Sequence, residues 1–137
     1  MTWASSNHIQ TMGPTVILAQ TTAVSTGDWF RVEPRIKDWT IGINQTGSSL
    51  AATVTSSGVI EGSFDAVTPS ETVLATWSLA GTAAGSPGAA AAVIPSSMQG
   101  PYPYIRARVV TINASSAAST GTPGGVQVTF SGRSSPI

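Results

Sequence analysis

A chain of 137 residues and 13.9 kDa has room for one domain around a single core. Only 9% of it is Asp, Glu, Lys or Arg, against about 25% in an ordinary soluble domain, and the six basic and six acidic residues cancel to a net charge of zero. The absence of cysteine excludes disulfides and thiolate metal sites, the neutral balance argues against nucleic acid as a partner, and no apolar run reaches the ~18 residues of a membrane-spanning helix.

Residues 1–14 read as an extended N-terminal arm carrying Trp3, His8 and Met12. Over 1–20 there is no basic n-region, and the apolar cluster Val16–Ala19 is too short for a signal-peptide core, so classical secretion is not expected. From there to the end, 15–137, the dominant periodicity is two, filled by β-branched and aromatic residues, which suits half-buried strands. Candidate strands run over 15–23, 29–33, 39–44, 50–55, 59–64 and 72–79. Turn compositions separate them at Thr26-Gly27-Asp28, Thr46-Gly47-Ser48-Ser49, Ser56-Ser57-Gly58 and Thr68-Pro69-Ser70.

Residues 83–92 form an Ala/Gly tract around Ser86-Pro87-Gly88, compatible with a short helical turn. The clearest strand follows at 104–113: Ile105, Ala107, Val109 and Thr111 face one way, Arg106, Arg108, Val110 and Ile112 the other, with the far end buried on both sides. After a Ser/Ala/Thr/Gly loop, 126–130 alternates cleanly, and the last two strands are expected to pair antiparallel across Gly121-Thr122-Pro123-Gly124-Gly125. About eight short strands at this spacing predict an all-β fold, an antiparallel β-sandwich or jelly roll with an extended N-terminal arm.

Little in the chain supports chemistry, and no enzyme is expected. The Gly121–Gly125 cluster leads into a strand and lacks a following Lys-Ser/Thr, so it is a turn and not a phosphate loop. No Gly-x-Ser-x-Gly element occurs, and His8, the single histidine, lies on the arm. Glu61 and Asp65 are the nearest pair of acids for a hydrolase, but acids at a strand end also cap turns. No catalytic, cofactor-binding or metal-binding residue is assigned. Trp3, Trp29, Phe30 and Trp39 offer rings for stacking on sugars, which keeps a carbohydrate-binding head- or tail-fibre module as the alternative, with core packing as the competing use of those rings.

The charges are unevenly spread. Residues 28–39 hold half of them, and alternation there puts Trp29, Arg31 and Glu33 on one side and Phe30 and Val32 on the other. Between Trp39 and Ile105 lie three acids, Glu61, Asp65 and Glu71, and no base, while Arg106, Arg108 and Arg133 have no acidic neighbour in the last third. Pairing of strands from the two regions inside one fold accounts for this. The residues best placed to touch a partner are Trp3, His8 and Met12 on the arm, Trp29, Arg31 and Arg35 in the charged segment, and Arg106 and Arg108 on the 104–113 strand.

At Glu61-Gly62-Ser63-Phe64-Asp65, Ala75-Thr76-Trp77-Ser78-Leu79 and Pro101-Tyr102-Pro103-Tyr104-Ile105-Arg106-Ala107-Arg108-Val109 the chain resembles β-rich structural proteins of tailed-bacteriophage virions, in particular capsid decoration, or cement, proteins. The resemblance spans roughly 39–130. It implies a jelly roll that stabilises the capsid by clamping adjacent major capsid protein subunits. It further implies a homo-oligomer, dimer or trimer, on the capsid exterior, made in the host cytoplasm. No cofactor, nucleic acid or membrane partner goes with that reading, and the family has no catalytic residues to carry over. A surface this poor in charge is expected to be covered by copies of itself or by a scaffold.

Overall fold

A computed structural model describes residues 11–46, 53–67, 72–83, 87–93, 102–113 and 125–134. They form eight strands, seven long and one of two residues: β1 (Thr11–Thr21), β2 (Phe30–Arg31), β3 (Ile36–Thr46), β4 (Thr53–Ser63), β5 (Thr72–Ala83), β6 (Pro87–Val93), β7 (Tyr104–Asn113) and β8 (Gly125–Ser134). No helix occurs among the described residues. Two four-stranded antiparallel sheets, ordered β1-β8-β3-β6 and β2-β7-β4-β5, make the β-sandwich that the period-two pattern predicts. The pairing is nested: β4 with β5, β3 with β6, β2 with β7 and β1 with β8.

Alternation decides which side chains enter the core. Trp39, Ile41 and Ile43 of β3 and Val126, Val128 and Phe130 of β8 face Ile60 of β4, Leu74 and Trp77 of β5, and Ile105, Ala107 and Val109 of β7. The aromatic centre is Phe130. Its ring lies 5.4 Å from Phe30 of the opposite sheet and 5.6 Å, edge-on, from Trp39, whose indole N–H donates to the Ile36 carbonyl at 3.0 Å. One polar chain crosses the interior: the Trp77 indole N–H donates to Ser56 Oγ (3.3 Å), which donates to Gln45 Oε1 (2.5 Å). It ties β5 and β4 to β3 through buried groups that would otherwise be costly to desolvate.

Several elements depart from the sequence reading. The first strand begins at Thr11, so the last four residues expected in the arm belong to the strand; 1–10 lie outside the described residues. The two strands expected over 50–55 and 59–64 are one, because Ser56-Ser57-Gly58 is no turn. Gly58 stays in the ladder, opposite Trp77 and Val109, and a Cβ there would overlap the Trp77 ring and meet the Arg108 carbonyl oxygen at 2.5 Å. It is a packing glycine. Gly58→Ala is therefore expected to cost about 1–3 kcal/mol, seen as a lower urea midpoint with unchanged slope, and Gly58→Ala with Trp77→Leu should lose less than the sum of the two.

Within the 83–92 tract, β6 is an edge strand paired with β3 from Thr40↔Val93 to Thr46↔Pro87, not a helical turn: the pairing overrides alanine's helical preference. The last two strands do not pair either. β8 inserts between β1 and β3, and β7 between β2 and β4, so the connection after Asn113 passes from one sheet to the other. The far end of β7 is open on its outer side, since Val110 is the extra residue of a bulge between the Ser57↔Thr111 and Gly58↔Val109 pairs. The bulge turns Thr111 outward and leaves Val110 42% exposed.

Candidate interaction surface

Register places the charged cluster. On the outer face of the second sheet Glu61 stands opposite Arg106, and Val59 opposite Arg108. Arg106 Nε donates to Glu61 Oε1 at 2.9 Å, and Arg108 reaches both carboxylate oxygens at 3.4 Å. The side chains are 2% exposed for Glu61, 13% for Arg106 and 37% for Arg108. A carboxylate on an outward face is this buried because it has a roof: the Arg106 guanidinium lies 4.3 Å from the centroid of the Trp29 ring, an arrangement that favours the cation.

Trp29 is delivered by the segment before β2. Gly27 N–H donates to the Ala107 carbonyl and Val109 N–H to the Ser25 carbonyl, both at 2.8 Å, and Thr26 bridges Arg108. From Thr26 to Phe30 the segment takes one more step than β7 does from Arg108 to Ile105, and this bulge sets Trp29 beside Arg106. Gly27 permits the close approach, because a Cβ there would lie 2.6 Å from the Ile17 carbonyl oxygen. Between this segment and β1 runs an open groove of about 510 Å³, lined by residues 16–21 and 25–30.

A second feature lies at the end of the sandwich where β4 stops. Ser63 Oγ accepts the amide N–H groups of Asp65 (3.3 Å) and Ala66 (3.1 Å), and Asp65 Oδ1 accepts that of Val67 (3.0 Å). The resulting tight turn, with Ala66 at φ 63°, holds Phe64 57% exposed, its ring 5.2 Å from that of Tyr102. The two acids singled out for hydrolysis are thus committed to separate tasks, Glu61 to two arginines and Asp65 to a turn. Among the described residues no group of three or more His, Cys, Asp and Glu could hold a metal.

Charge is divided along the strand axis. The ladder pairs Arg31↔Tyr104, Ser63↔Tyr104, Ile36↔Ser134 and Thr11↔Arg133 mark one end of the sandwich. Arg31, Glu33, Arg35, Lys37, Asp38, Asp65 and Arg133 lie at that end, with Glu61, Arg106, Arg108 and Asp28 further in. Beyond Arg108 on β7, Glu61 on β4 and Asp38 on β3, no described residue carries a charged side chain. Half the sandwich is therefore built without ionisable groups.

The sequence-selected residues fare unequally. Trp3 and His8 lie outside the described residues. Met12 is partly buried against the core. Trp29 is half-buried on Arg106, whereas Phe30 and Val32 turn inward as the alternation predicts. Arg31 is exposed, its guanidinium 5.9 Å from the Tyr104 ring centroid, and Arg35 is exposed on the β2–β3 connection. Arg106 and Arg108 find their acid, Glu61, across strands, as intramolecular pairing of the two regions requires, whereas Arg133 pairs with Asp38 of the 28–39 segment at 3.2 Å. Val110 and the Phe64–Tyr102 pair were not singled out. Exposed apolar residues at a bulge and a turn have no periodic signal.

Neither a scan against protein-family models nor a search of curated proteins finds a match for this chain. Among solved structures it is similar to a chain of the "Structure of infectious bursal disease virus Gx strain", at 17% identity and a TM-score of 0.48 over 92% of this chain. It spans about a third of that chain's length, 31%.

Proposed function

We propose that this protein is a structural component of a virion, of the tailed-phage decoration type, which stabilises the capsid from outside by clamping adjacent major capsid protein subunits. The observation that carries the reading is the division of charge: beyond Arg108, Glu61 and Asp38 no described residue of the sandwich carries a charged side chain, so that end has no charge to desolvate against another protein. The nested strand order supports it, being the wrapping of a jelly roll, an architecture used by viral capsid domains as well as by lectins and cupins. A clamp works through buried area, and many weak attachments around a shell add up through multivalency. As a dimer or trimer each particle would engage more than one subunit at once.

Of the rings that motivated the carbohydrate alternative, Trp39 is buried in the core, Phe30 packs against it, one face of Trp29 is taken by Arg106, and Trp3 lies outside the described residues. Shells of the virus that carries this protein, assembled with and without it, provide the test. Heating should release their contents at a higher temperature when the protein is present. Equal release temperatures would overturn the reading.

A further inference from the structure

We infer that β1 is a strap: it lifts off β8 as a unit, turning about the Thr21–Ser25 corner, while the rest of the sandwich stays folded. The two sides of β8 are held unequally. Towards β3 the register runs unbroken from Asp38↔Arg133 to Thr46↔Gly125, whereas towards β1 it breaks three times, between Met12 and Thr15, Val16 and Leu18, and Leu18 and Thr21. Each break leaves backbone groups out of the ladder, so β1 is bonded to β8 less densely than β3 is.

Side chains add little to that hold. Of the eleven residues of β1 only Ile17 and Leu18 are buried, and the aromatic centre, Phe130 with Phe30 and Trp39, contains none of them. The two sheets therefore stay joined when the strap lifts. Water also reaches β1 from its other side, because residues 16–21 line the open groove beside the 25–30 segment. The corner is built to survive the opening. Ala23 N–H donates to Thr21 Oγ1 at 3.2 Å and Ser25 Oγ donates to the Ala23 carbonyl at 3.0 Å, bonds local to the turn, and the Ser25 carbonyl is tied to β7 by Val109 N–H. Stability this uneven produces a sub-global opening, in which one strand meets solvent and the remainder does not. The opened form differs in what it offers. β8, an inner strand while β1 is seated, becomes an edge with free N–H and C=O groups, to which another strand can add.

Native-state hydrogen exchange on the unmutated protein tests the strap inside a single strand. Amides along β8 alternate, one facing β1 and the next facing β3. Those facing β1 should exchange about a hundredfold faster than their neighbours, with rates that low urea leaves nearly unchanged while it accelerates the others. Equal rates and equal urea dependence in the two sets overturn the inference, as does fast exchange confined to the Arg133 end, which is fraying of a terminus. Val16→Cys with Thr129→Cys, opposite one another in the ladder in a chain with no other cysteine, gives a second reading. Once oxidised, the staple should slow the fast set to the rate of the slow set, and reduction should restore the difference. A cross-linked protein whose β1-facing amides still exchange fast overturns the strap; the measurement on the unmutated chain decides the matter whether or not the staple forms.

Discussion

Glu61→Gln is expected to destabilise the fold by about 3 kcal/mol, because it removes the buried carboxylate charge that Glu61 supplies to the Arg106 and Arg108 guanidinium groups. The amide keeps the shape and one acceptor, so the loss reports charge and not volume. Arg106, at 13% exposure, carries more of the effect than Arg108, whose more exposed guanidinium is screened by solvent. A double-mutant cycle with Arg106→Met, followed by urea denaturation, should give a double variant less destabilised than the sum of the singles. By contrast, Asp38→Asn at the solvent-exposed pair with Arg133 should change stability by less than about 1 kcal/mol. A Glu61→Gln loss as small as that would show that the cluster is held by something other than its carboxylate.

Phe130→Ala should cost about 4 kcal/mol, the range for a fully buried aromatic whose cavity cannot collapse. The ring has no exposure and touches Phe30 from one sheet and Trp39 from its own, so deletion empties the point where the two sheets meet. Against a total of roughly 5–15 kcal/mol for a domain, either substitution is a large fraction. Near-ultraviolet circular dichroism should weaken along with the urea midpoint, since the packed aromatics lose their fixed geometry. An unchanged midpoint would mean that the sandwich is held mainly at its edges.

How much of this was legible in the residues follows from the range of each signal. β7 could be read directly, because Ile105, Ala107 and Val109 alternate with Arg106 and Arg108 over a length that only a half-buried strand explains. The acid for those arginines was legible as a charge imbalance between the middle and the end of the chain, and strand pairing supplied it in Glu61. Gly58 misled because a glycine between two serines has the composition of a turn, and only the ring of Trp77, nineteen positions on, explains why a glycine is needed inside a strand. The alanines of β6 misled for a similar reason: their intrinsic preference is helical, and it is the free edge of β3 that recruits them. The division of charge was half visible, as a cluster in 28–39 and an empty stretch elsewhere. It became an axis only once the strand directions were known.

The place of β8 has a consequence for how the protein is made. Thr11 pairs with Arg133, and among the described strands β1 joins its sheet through β8 alone, so β1 has no seat in that sheet until β8 has been translated. In the meantime both β1 and the inner edge of β3 present unsatisfied backbone to other nascent chains, the state in which strand edges aggregate. With so few charges to keep neighbours apart, yield in a cell should depend on how quickly synthesis reaches Ser134.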